Sequence, residues 1–126
     1  LNGIDHKTGN VSNLFMKKKI AALGIQFHED IIYKTTFKKK LKDQTIKLIK
    51  SGSIKFVLVY SQENARVLIK LMNSKNIKKN SKNIKFICLS KQIAQIIKQN
   101  GFISFNPSRP SQTMIIKLIL SLSVRT

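Results

Sequence analysis

Three serines stand where an apolar run gives way to a helical pattern. Ser61 follows residues 54–60 (IKFVLVY), Ser90 follows residues 84–89 (IKFICL), and Ser111 follows residues 102–105 and two prolines. A serine in that position caps the helix, its hydroxyl accepting a first-turn N–H, for about 1 kcal/mol. The same place can also hold an anion, because the remaining free N–H groups and the helix dipole point at it. Capping and ligand binding are both open for the three serines on the sequence alone.

Other chemistry is excluded by spacing. Neither GxGxxG nor GxxxxGK[ST] occurs, so no glycine loop cradles a phosphate. His6 and His28 are far apart and lack acidic or Cys partners at metal-ligand spacing. Glu29 and Asp30 are adjacent, so on a strand they face opposite sides and cannot form a paired-carboxylate acid/base site. No Ser/His/Asp arrangement can be drawn. Cys88 is the only cysteine and lies inside an apolar run. It reads as a core residue in a reducing compartment rather than a disulfide or zinc ligand.

The elements that must position the serines follow from periodicity. Residues 11–23 read as a helix, with Leu14, Phe15, Ile20, Ala21 and Leu23 at helical spacings and Gly24 as a stop. Residues 25–33 read as a strand and 38–50 as a helix carrying Leu41, Thr45, Leu48 and Ile49 on one face. The near-continuous apolar runs 54–60 and 84–89 suit buried parallel strands. Helices over 63–72, 92–99 and about 113–122 follow, with a short strand at 102–105. Residues 73–83 are polar and Lys-rich and read as a surface loop. Strands alternating with helices imply an α/β fold around a parallel sheet. In such sheets ligands bind beyond the carboxyl ends of the strands, where the serines fall.

Composition sets the outer bounds. The chain has 126 residues, of which 42% are hydrophobic, enough for one domain or a domain plus part of another. It opens on Leu1 rather than Met, so further chain is expected upstream. No signal pattern or membrane-length apolar run is present in it. The formal charge is +19, carried almost wholly by lysine; Arg66, Arg109 and Arg125 are the only arginines. So positive a field attracts an anionic partner. The scarcity of arginine weakens a nucleic-acid reading, since Arg supplies the bidentate phosphate and guanine contacts.

An ordered set of short stretches resembles one family. Gly9-Asn10, then Gly24-Ile25, then Tyr33-Lys34-Thr35 is similar to the G-N…G-I…Y-x-T series midway through uroporphyrinogen-III synthases. Residues 56–61 resemble that family's apolar strand ending in a Thr/Ser-Ser-Pro turn. Residues 85–94 resemble its next strand, Ile-Gly-x-x-Thr-Ala turn and helix. Gly101-Phe102 and Pro110-Ser111 follow at the family's spacing. The resemblance covers nearly the whole chain and about the second half of a full synthase.

It implies half of a two-domain fold with substrate in the cleft between domains. Residues 1–34 would close a domain mostly encoded upstream, and residues 35–126 would form the second α/β domain without its N-terminal strand. Such enzymes are cytoplasmic lyases of tetrapyrrole and haem biosynthesis. They take linear hydroxymethylbilane, lose its hydroxyl as water, invert ring D through a spiro intermediate and close the macrocycle. The resemblance implies no cofactor and no metal; with the composition, no membrane and no nucleic-acid partner are expected, and a monomer is. Tyr33 would assist loss of the hydroxyl. Asn10, Ser61, Gln62, Ser90, Lys91, Gln92 and Ser111 would contact substrate carboxylates. The departures are Ser90 for the family's Gly, Ile93 for its Thr and Gln62 for its Pro. The alternatives are a Lys-rich nucleic-acid-binding α/β module, or a synthase-like domain that has lost activity.

Overall fold

Strands whose two faces are both apolar must be covered on both faces, and that requirement sets the architecture here. The computed structural model describes Met16, residues 18–24 and residues 42–124. Helix α1 (Asp43–Lys50) leads to strand β1 (Phe56–Val59) and helix α2 (Gln62–Ser74). A short 3-10 turn (Lys79–Ser81) precedes β2 (Lys85–Cys88), α3 (Lys91–Gln99), β3 (Ile103–Phe105) and α4 (Gln112–Val124). The strands form a parallel sheet in the order β1-β2-β3. The expected α/β alternation around a parallel sheet is therefore present. The expected strand over 25–33, with His28, Glu29 and Asp30, lies outside the described residues, as do His6 and Leu41.

Alternation along the strands sends side chains to two separate cores. Val59, Phe86 and Cys88 join Ala65, Leu68 and Met72 of α2 and Ile93 and Ile97 of α3. Phe86 and Phe102 pack there with ring centroids 5.4 Å apart and planes tilted by 59°. On the opposite face Ile87, with Phe56, Leu58 and Phe105, meets Ile115, Ile119 and Leu122 of α4. Each fully buried Ile or Phe contributes about 1.5–3 kcal/mol. Two consecutive crossovers along one sheet direction put α2 and α3 on the same face, as connection handedness requires.

The second core also holds Met16 and Ile20. These residues precede the boundary expected at residue 34, and they share a cluster with residues that follow it. Residues 18–22 are helical, as expected, but the buried face is Met16 and Ile20. Ala21 and Leu23, read as apolar-face residues, are exposed.

The connection after α2 also differs from the expected loop. The helix runs on to Ser74 and ends where Asn76 takes a left-handed φ of 56°. There Ile77 N–H donates to Met72 O (3.0 Å) and Asn76 N–H to Asn73 O (3.2 Å), the paired bonds that close a helix end. Ile77 and Ser81 are fully buried, and Ser81 Oγ donates to Ile77 O at 2.8 Å. An apolar anchor and a satisfied hydroxyl thus tie a Lys-rich segment to the core. Gly101 closes α3 in the same way at φ +88°, with Phe102 N–H reaching Ile97 O.

Candidate functional site at the carboxyl ends of the strands

In the register of β1 and β2, Val59 lies opposite Cys88, and Leu89 N–H continues the ladder to Val59 O at 3.1 Å. Ser61 and Ser90 each stand two residues further on, so the two caps are neighbours across adjacent strands. Strand spacing of about 4.8 Å sets their scale of separation. Ser111 follows β3 and the turn through Pro107 and Pro110, and it opens α4 at the same end of the sheet. All three serines therefore share one rim.

Each is a true cap. Asn64 N–H donates to Ser61 Oγ (3.0 Å), Ile93 N–H to Ser90 Oγ (3.4 Å), and Met114 N–H to Ser111 Oγ (3.1 Å). Ser61 and Ser90 have the extended backbone that an N-cap requires. Each hydroxyl accepts one N–H and keeps its own proton to donate. The first two amides of each helix, such as those of Lys91 and Gln92, have no intrahelical acceptor and open toward the rim. Such an edge suits carboxylates: amide donors, hydroxyls and three helix dipoles of one sign.

The other expected residues divide in two. Gln62, Lys91 and Gln92 are exposed on the first turns of α2 and α3. Gln62 Oε1 accepts from Arg66 Nη2 at 3.2 Å, which holds that amide along the helix. Asn10 and Tyr33 lie outside the described residues. Ile93, at the place of the family's Thr, is 4% exposed and belongs to the core, so only its backbone serves the rim.

Three residues with rim chemistry were missed on the sequence. Tyr60 is half-buried at the end of β1, and burial pushes its phenol up to about 12. Arg66 sits one turn beyond Gln62, an i,i+4 spacing that could have flagged it. Arg109 is exposed in the turn between Pro107, which is buried, and Pro110, which is exposed. It is a forked donor two residues before Ser111, of the kind that fits carboxylates.

Cys88 is fully buried and its thiol is likewise pushed up to about 12 by burial, so it is an inert core group. Among the described residues no group of three or more His, Cys, Asp or Glu could hold a metal ion, and no helix is long and apolar enough to cross a membrane.

Comparison with known proteins adds one finding. A family model described as Uroporphyrinogen-III synthase HemD matches residues 6–117. No curated protein and no solved structure matches the chain.

Proposed function

The chain belongs to the uroporphyrinogen-III synthase family, and we propose that it acts on hydroxymethylbilane as that family does. The observation that carries this reading is the shared rim: Ser61, Ser90 and Ser111 cap three helices at one end of one sheet. The substrate is a linear tetrapyrrole bearing many carboxylates. First-turn amides, serine hydroxyls, Lys91 and Arg109 would hold those carboxylates along the rim. Fixing both ends of a flexible chain brings the reacting carbons together, the kind of entropic gain that can dominate a cyclisation.

The reaction needs little else from the protein. The hydroxymethyl oxygen takes a proton and leaves as water. The cation left on the terminal ring is attacked by ring D at its substituted carbon, forming the spiro intermediate. Fragmentation and reclosure invert ring D, and loss of a proton completes the macrocycle. Tyr33 is proposed to give the hydrogen bond that assists departure of the hydroxyl, and Asn10 to face the substrate from the other side of the cleft. Isomer analysis after incubation with hydroxymethylbilane tests the reading. Uroporphyrinogen III is expected; the spontaneous type I isomer alone would mean a family member without the activity.

The lysine distribution supports nucleic-acid binding as an alternative. No acidic residue follows Glu63 in the sequence. Lys75, Lys78, Lys79, Lys82 and Lys98 gather near the other end of the sheet, on the connection and helix ends that precede β2 and β3. Lys78 and Lys82 both lie over the Phe102 ring, at 5.9 and 5.6 Å. Such an edge would take a phosphate backbone. Binding to duplex nucleic acid that weakens steeply with salt, and falls when these lysines become Gln, is what that reading requires.

A further inference from the structure

Tyr60 ends the apolar run of β1, and its ring follows Phe56 and Leu58 onto the face covered by α4. The ring body packs against the cluster that contains Ile115, so its position is fixed by apolar contact. Its next neighbour in sequence is Ser61, the cap of α2. The hydroxyl has no hydrogen-bond partner among the described residues. Tyr60 is half-buried, with its ring body in the apolar cluster, and a tyrosine so placed ordinarily offers its polar tip to a partner.

We propose that the Tyr60 hydroxyl is a substrate-contacting donor of the rim, and that it donates to a carboxylate of the tetrapyrrole. The inference rests on the synthase reading and adds a residue to it. Of the two roles open to a phenol, donor and acid, the surroundings select the donor. A phenol held up to about 12 stays neutral throughout the working range. It would release its proton too reluctantly to drive departure of a hydroxyl, but it is a fixed donor for an anion. The apolar face around the ring strengthens such a bond by lowering the local dielectric.

The test is Tyr60→Phe in the full chain, read in two ways. The first is kcat and KM with hydroxymethylbilane. The second is the Kd for uroporphyrin I, a polycarboxylate tetrapyrrole, in salt high enough to screen the surface lysines. The inference predicts KM and Kd raised about ten-fold or more, kcat within about three-fold, and an unchanged melting temperature. The shift should be constant from neutral pH to pH 9, because the phenol does not titrate there. Wild-type turnover or porphyrin binding that Tyr60→Phe leaves unaltered would overturn the role of Tyr60 alone. A wild-type chain that neither forms the type III isomer nor binds the porphyrin would overturn the synthase reading and this inference together.

Discussion

Ser61 and Ser90 stand side by side, each two residues past the register pair in which Val59 lies opposite Cys88. Both hydroxyls accept the N–H three residues on, so two helices begin in parallel next to one another. Their dipoles add at the rim, and an anion between them would meet donors from both turns.

Capping and ligand binding at Ser61 separate by substitution. Ser61→Ala should cost about 1 kcal/mol of stability by loss of the cap. Ser61→Asp keeps the cap but places a negative charge on the rim. It is expected to melt near wild type yet bind a polycarboxylate at least about ten-fold more weakly. Equal affinity for both would reduce Ser61 to a capping residue.

Arg109 is exposed, so its replacement touches little of the core. Arg109→Gln should raise KM for hydroxymethylbilane several-fold with stability within about 0.5 kcal/mol. An unchanged KM would remove it from the site.

Glycine conformation gives a sharp structural prediction. Gly52 and Gly101 have φ of +75° and +88°. A Cβ at Gly52 meets nothing within 4 Å, and one at Gly101 meets only Lys82 Nζ at 3.2 Å, the movable tip of a side chain. Both substitutions to Ala should therefore cost about 1–2 kcal/mol, the price of the left-handed backbone alone. Chemical denaturation measures it; a much larger loss at Gly101 would mean that Lys82 cannot swing aside.

Ile20 tests whether residue 34 divides the chain. It is 4% exposed and shares its cluster with Ile115 and Ile119. Ile20→Asp buries a carboxylate there and should destabilise the α/β unit by at least about 2–3 kcal/mol. A chain that separates into independent domains at residue 34 would leave the melting of residues 42–124 unaffected.

The order of elements was legible because β1 and β2 carry unbroken apolar runs and each is followed by a serine and a helical period. The rim was legible for the same reason. What escaped the sequence were contacts that depend on single residues out of pattern. Asn76 ends α2 by taking a left-handed conformation, a role more often left to Gly, so the helix runs two residues beyond the expected end at residue 72. Ile77 and Ser81 looked like parts of a polar loop, yet one fills the core and the other satisfies its hydroxyl on the backbone. Tyr60 closes the apolar run 54–60, although the strand itself ends one residue earlier at Val59. Its missing hydrogen-bond partner could be seen only with its surroundings in place.

Anionic ligand is expected to gather at the serine end of the sheet. Amide NMR shifts on titration with uroporphyrin I read this most directly. The largest changes are expected at the N–H groups of Gln62, Lys91, Gln92 and Gln112. Changes confined to Lys78, Lys79, Lys82 and Lys98, at the other end, would contradict it.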